Sequence, residues 1–295
     1  MEQAPFDLVI LGDLVLPDSV LPGGYVAVRG EAVAAIGQGA PPPAASVADH
    51  SGMLVLPGLV DGHMHTSSST GWPGIEGATM SAAAGGVTTC VDMPYDVPRP
   101  VTDAAILREK VGWVERLAHV DVALYGTIRK EGGVEAIAGL AEAGACSFKL
   151  STYEYDPVRF PRIDHPTMLE AFREIARTGL MCAVHNEDQE LVARLTEAAK
   201  AAGRTDPIMH CRTRPPLAES MANLAIFELV IADINRPDAQ FFMKLRGDVF
   251  KLRPCPILVG QFNASLLEGV HVNDDRLRVG AEANGIVHAI DHTAS

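Results

Sequence analysis

The sequence predicts an α/β protein, a TIM-like (β/α)8 barrel preceded by a small β segment, with the late part of the barrel departing from the pattern. Three observations predict it. Residues 6–37 alternate short Val/Leu/Ile runs with Asp, Gly and Pro punctuation, an antiparallel β pattern. From Met53 onward, apolar strand candidates alternate with helix candidates, which implies parallel strands and crossover helices. A doubly wound sheet would want a Gly-rich phosphate turn, and none is present.

The elements follow in order. FDLVILGD, LVLPDS and YVAVRGEAVAAIG read as the first strands. GAPPPAASVADHSG (39–52), with Pro41, Pro42 and Pro43 in succession, reads as a loop. The alternation then runs through MLVLPGLVD, ATMSAAAGG, VTTCVDMP, DAAILREKVGWVERLA, VDVALYGTI, GVEAIAGLAEAG and CSFKLST. It continues with TMLEAFREIARTG, LMCAVHN, DQELVARLTEAAKAAG and LAESMANLAIFELVIADI, to about residue 230. Beyond that, clean helices are fewer, a proline patch appears in KLRPCPIL (251–258), and LEGVHVN and GIVHAID are strand candidates. The reading is therefore a β segment over 1–55 and a barrel over 56–295, with 229–295 atypical.

Bulk properties narrow the function. With 47% hydrophobic and 21% charged residues over 295 positions, the chain has core material for one barrel-sized domain and an appendage. A net charge of −13 argues against nucleic acid or an anionic membrane as partner and leaves small molecules or proteins. No apolar run is long enough to span a bilayer, and MEQAPFDLVILGD lacks the features of a secretory signal. The five cysteines are odd in number and show no CxxC spacing, so they read as buried thiols of a cytoplasmic protein.

The chemistry-bearing residues sit where strands should end. His63 and His65, in GLVDGHMH, are two positions apart and leave the same face of a strand. Two imidazoles there can chelate a divalent ion, with Asp61 as a supporting partner; strand-end residues bonded to backbone are the plain alternative. Lys149 closes the apolar run ACSFKL at its end. A desolvated lysine becomes a neutral amine able to take up carbon dioxide as a carbamate, whereas a salt-bridged or snorkelling lysine would do neither. His185 ends MCAVH before Asn186, Glu187 and Asp188, a stretch that suits a further ligand or a helix cap at Asn186. Asp291, in IVHAIDH, is a strand-end carboxylate that could bind metal and serve as a base.

Together these stretches resemble the cyclic amidohydrolases of the amidohydrolase superfamily: hydantoinase, dihydropyrimidinase, allantoinase and dihydroorotase. The similarity is carried by GLVDGHMH, AAAGGVTTCVDMP (82–94), GACSFKLS (144–151), AVHNEDQE (183–190) and RPPLAES (214–220), across roughly residues 6–228. It implies that the N-terminal strands form a small β-sandwich segment. It also implies two divalent metal ions, zinc by default with manganese, cobalt or iron open. His63 and His65 would hold one ion, a carboxylated Lys149 would bridge, and His185 would hold the second. By the same resemblance a hydroxide shared by the metals attacks a cyclic amide or ureide, such as hydantoin, allantoin or dihydropyrimidine, and Asp291 is ligand and base. Arg214 would shape a wall of the site, and Tyr153 or Tyr155 would bond substrate. A homodimer or homotetramer is implied as well.

The sequence departs from the family after RPPLAES. Where a further metal-binding histidine is expected, 228–250 contains none, and the segment that would complete the sandwich is missing. His271 is a strand-like substitute, while His119, His165, His210, His288 and His292 fit the gap less well. The competing expectation is therefore a non-catalytic relative, a scaffold or assembly subunit with a degraded metal site.

Overall fold

A two-residue turn at Gly30 and Glu31 shows how local chemistry starts the fold. Gly30 has φ +60°, a left-handed value that glycine adopts without strain, and its N–H donates to Asp7 Oδ2 at 2.5 Å. In the computed structural model, which describes residues 6–234 and 257–259, this turn joins β2 (Val20–Arg29) to β3 (Ala32–Gln38). The chain divides into two compact units, residues 1–59 and 60–295.

The first unit is a four-stranded sheet in the order β3-β2-β1-β4, with β1 at Phe6–Val15 and β4 at Ala44–Val55. β1 pairs antiparallel with β2 and parallel with β4. The sequence reading of 39–52 as a loop is therefore corrected: from Ala44 onward it is strand. The prolines stop at position 43, and pairing with β1 is a non-local contact that supplies what local propensity lacks. Gly12 permits this pairing, since a Cβ there would lie 2.5 Å from Val55 Cγ2. The apolar run from Met53 is not one strand either: Pro57 separates β4 from β5 (Leu59–Met64), because proline cannot donate to a ladder.

The second unit carries the β–α alternation. Strands β6 (Val87–Asp92), β7 (Asp121–Gly126), β8 (Ser147–Ser151), β9 (Met181–His185) and β10 (Ile257–Val259) follow β5 in a six-stranded sheet, ordered as they occur in the chain. The recorded registers from β6 to β10 are all parallel. Between them lie α1 (Gly74–Ala84), α2 (Ala104–Leu117), a 3-10 turn with α3 (Ile137–Glu142), α4 (His165–Thr178) and then α5 (Gln189–Ala201), α6 (Ile208–Arg212) and α7 (Pro216–Ile234). A strand order that never reverses, with crossovers of one hand, stacks the helices on one side and curls the sheet. A doubly wound sheet reverses its order. KLRPCPIL, singled out in the atypical region, ends on β10 beside β9.

All five residues of β8 are buried, as expected for a parallel strand covered on both faces. Phe148, Leu150 and Val184 pack with Leu107, Ile137, Leu140, Met168, Phe172, Ile175 and Ile226 from the helices. Each such side chain contributes about 1.5–3 kcal/mol when fully buried. The helix ends are specified locally. Asp164 caps α4 through Thr167 N at 2.9 Å, Pro166 occupies its first turn, and Gly179 ends it at φ +75°. Asp164→Ala should cost about 1 kcal/mol, read as a lower urea midpoint; no shift would show that the cap is idle. Among the cysteines, Cys90 and Cys182 are buried and Cys146 partly so, but Cys211 is exposed, against the expectation for a buried thiol. No helix among the described residues is long and apolar enough to cross a membrane.

Candidate functional site at the strand ends

The parallel strands deliver the candidate residues to one rim. His63 lies in β5 and His65 one residue beyond it; their rings are 5.4 Å apart between centroids. Asp61 Oδ1 accepts the backbone N–H of His63 at 3.0 Å, a local bond that shapes the strand end. His65 Nδ1 lies 2.8 Å from Ser68 Oγ, so its other ring nitrogen is the one left for a ligand. Lys149 in β8 is 5% exposed. Burial pulls its ammonium down to about 8 from 10.5, and no carboxylate among the described residues offsets that pull. Burial, then the charges of Lys149 and His65, hold His63 down at about 4. His65 is also lowered, by burial first, with Asp92 pulling the other way. His185, at the end of β9, is felt by His63 as well. Its ring is packed edge-on by Phe160 at 5.3 Å, and Phe160 in turn meets the Tyr95 ring edge-on at 4.0 Å.

Beneath His65 lies a fully buried ion cluster. Lys110 Nζ sits 2.7 Å from both Asp92 Oδ2 and Asp96 Oδ2, and all three side chains are inaccessible. Asp92 accepts Thr66 N at 2.9 Å and Thr66 Oγ1 at 2.6 Å, clamping the backbone that follows His65. Met93 N donates to Met64 O at 2.8 Å, which ties the same two strand ends again. Trp72 Nε1 donates to Asp96 Oδ2 at 3.2 Å, while Asp96 Oδ1 has no partner. Burial pushes the Asp96 carboxyl up to about 6 despite Lys110. The folded state thus binds a proton that the unfolded state releases near 3.8, so the contribution of Asp96 to stability falls as pH rises from 3.8 to about 6.

The opposite side of the rim holds Tyr153, Glu187 and Arg214. Arg214 Nε is 3.2 Å from Glu187 Oε1, its Nη2 is 3.5 Å from Tyr153 OH, and its guanidinium lies over the Tyr153 ring at 5.4 Å. Burial works against the charge of Glu187, but His185 and Arg214 outweigh it and hold the carboxyl below the usual range. Tyr155 is 68% exposed and packs against Phe160, apart from Arg214. Asn186 does not cap a helix. Its Nδ2 donates to Asn223 Oδ1 at 2.8 Å, and Asp188 caps α5 through Leu191 N at 2.8 Å.

His63, His65, Lys149 and His185 therefore share one rim, and Tyr153 and Arg214 share its edge. Asp291, His271, His288 and His292 lie outside the described residues. Among the described residues, no three His, Cys, Asp or Glu side chains are close enough to hold a metal ion by themselves. Sequence reasoning took Glu187 only as one of the acidic residues after His185, and passed over Ser68, Phe160 and the Lys110 cluster. Only Lys110 left a signal, a lysine three positions after Leu107 on the buried stripe of α2.

Comparisons with known proteins agree with this architecture. The Dihydro-orotase-like family model matches residues 52–173, which include His63, His65, Asp92, Lys110 and Lys149. An allantoinase of Solibacter usitatus is 34% identical over 215 residues, covering 72% of this chain and 47% of the relative. One from Rubrobacter xylanophilus is 35% identical over 225 residues, covering 74% and 48%. The solved structure of an L-hydantoinase (dihydropyrimidinase) from Arthrobacter aurescens matches with a TM-score of 0.71 at 30% identity, over 77% of this chain and 51% of that one. The chain thus spans about half the length of the relatives it matches. Fold and rim define a β/α protein whose site is assembled from successive strand ends. Within that class, the chain belongs to the amidohydrolase superfamily, in its cyclic amidohydrolase group.

Proposed function

We propose that the protein hydrolyses a C–N bond of a small cyclic amide or ureide of the hydantoin, allantoin or dihydropyrimidine type. The carrying observation is Lys149, buried in the middle of β8 with no carboxylate among the described residues to offset its charge. Such a lysine is costly unless its amine is used. As a neutral amine it adds carbon dioxide, forming an N–C bond and releasing one proton, and the product is an anionic carbamate.

That carbamate, with His63, His65, His185 and Asp291, makes a donor set for two divalent cations, zinc first, with manganese, cobalt or iron also suited. The depressed pKa values of His63 and His65 support the fit, because metal ligation needs neutral imidazole. When bound, the cations would activate a water and polarise the ring carbonyl. Asp291 would take the proton and return it to the leaving nitrogen. Arg214 holds Tyr153 at the wall, which favours Tyr153 over the exposed Tyr155 as the substrate partner. The sheet would be the described part of a (β/α)8 barrel, and the first unit part of a β-sandwich. An assembly of two or four copies in the cytoplasm belongs to the same proposal, as does the absence of nucleic-acid and membrane partners.

Metal analysis and a ring-opening assay test the reading. About two ions per chain with turnover are expected. Fewer than one ion per chain, with no turnover after reconstitution in bicarbonate, would leave a non-catalytic scaffold. Carbamate formation has its own signature. Labelling with 13C-bicarbonate should give a carbamate resonance that grows from pH 7 to 9, since the neutral fraction of a lysine titrating at about 8 rises through that range. A signal that declines with pH would contradict it.

A further inference from the structure

The segment between β8 and α4, residues 152–164, is anchored on both sides of the rim. It first folds on itself. Phe160 N donates to Asp156 O at 3.0 Å and Tyr155 N to Phe160 O at 3.1 Å, while Asp156 Oδ1 accepts Val158 N at 2.9 Å and Arg159 N at 2.7 Å. On its own side of the sheet, Ile163 N donates to Ser151 O at 2.9 Å, Glu154 N to Gln189 Oε1 at 2.7 Å and Arg162 Nη1 to Glu190 Oε1 at 2.6 Å. Lys130 pairs with Glu154 there as well. On the far side, among the described residues, the polar contacts come from one side chain. Arg159 Nη1 donates to Ser68 O at 2.9 Å and to Tyr95 O at 3.2 Å. Ser68 and Tyr95 follow β5 and β6, neither of which is a neighbour of β8 in the sheet. The Phe160 ring, next along the chain, meets the same Tyr95 at 4.0 Å.

We propose that Arg159 is a positioning residue, a tie across the rim that joins the β8–α4 segment to the loops after β5 and β6 and holds the mouth of the site in shape before substrate arrives. Ladder hydrogen bonds fix neighbouring strands, but they do not fix the spacing of loops on strands that are not neighbours. A guanidinium suits that task. Its charge strengthens a bond to a carbonyl oxygen, and one group can serve carbonyls from two loops at once. It also lies 5.8 Å from the centroid of the Tyr155 ring, which steadies it from the segment's own side. Without the tie, the segment stays hinged through Ile163, Glu154 and Arg162, so its loss loosens the mouth locally and leaves the sheet intact. Substrate would then have to order the segment as it binds, a cost that falls on KM and not on kcat. The kinetic part of this inference rests on the proposed hydrolase reading, whereas the tie itself does not.

The test is amide hydrogen exchange on the full chain, with ring-opening kinetics alongside. The amides of Tyr155 and Phe160 should be protected in the wild type. In Arg159→Met, which keeps the length of the side chain but has no donor, they should exchange about 10–100-fold faster, the effect of losing a charge-assisted hydrogen bond. Amides of β8 and β9 should keep their rates. The same variant should raise KM about 10-fold or more and leave kcat nearly unchanged. Arg159→Lys, which keeps a cationic donor, should recover part of both effects. Unprotected Tyr155 and Phe160 amides in the wild type would overturn the inference, whether or not the variants fold. So would unchanged exchange in folded Arg159→Met, or a fall in kcat at constant KM. If the wild type opens no ring substrate but Arg159→Met still frees these amides, the hydrolase reading fails and the tie stands.

Discussion

Lys149→Met is expected to make the metal-free protein more stable and to abolish ring opening at the same time. The two effects share one cause. Burial lowers the lysine from 10.5 to about 8, so the folded state binds fewer protons than the unfolded state between those values. Stability therefore rises with pH across that window, and below about pH 8 the full penalty is present. Taken at 1.36 kcal/mol per unit, the penalty is at most roughly 3 kcal/mol, which methionine removes while filling similar space. Activity should fall by on the order of 10³-fold or more, because the proposed carbamate, which would supply oxygen ligands to the cations, could not form. Lys149→Ala leaves room for a short carboxylic acid, and propionate should restore part of the activity by supplying the missing oxygens. Thermal melting in chelator reads the first effect and the ring-opening assay the second. A Lys149→Met protein that melts below the wild type would show that the ammonium is paired in the folded state.

Lys110→Met has the opposite sign. It leaves Asp92 and Asp96 facing each other without a cation in a site that excludes water. Breaking a buried pair in this way costs about 3–5 kcal/mol. Replacing the whole cluster, with Asp92→Asn and Asp96→Asn added to Lys110→Met, should recover much of that loss, since no uncompensated charge then stays buried. Denaturant midpoints of the single and triple variants measure the difference. A single-variant loss under about 1 kcal/mol would mean that water reaches the carboxylates. The single variant should also weaken metal binding, because Asp92 clamps Thr66 directly behind His65.

These two lysines show what the sequence can and cannot express. Lys149 was legible because a charged residue closing an apolar strand run is locally anomalous, and the same logic exposed His63, His65 and His185. The β–α alternation was legible because helical and strand periods differ, and α4 announces both of its ends through Asp164, Pro166 and Gly179. Lys110 and Glu187 depend on partners 14 to 27 residues away, and no spacing rule joins Lys110 to Asp96 or Glu187 to Arg214. The misread strand β4 has the same origin. Its pairing with β1 is a long-range contact, while its own residues, flanked by prolines and containing Gly52, look like a loop. Asn186 was misassigned for a smaller reason: three polar residues in a row each suit a cap, and only the position of the first helical N–H chooses Asp188.

The unreversed strand order has a kinetic consequence. Each strand from β6 to β9 pairs with the one made just before it, so no pairing has to wait for a distant later segment of the chain. The sheet can therefore grow at one edge as the chain is synthesised, N-terminal strands first. His63 arrives on its first strand with His65 just past it, Lys149 on the fourth and His185 on the fifth. The scaffold that buries Lys149 is thus laid down before the rim is complete, and its chemistry is among the last properties the folding chain acquires.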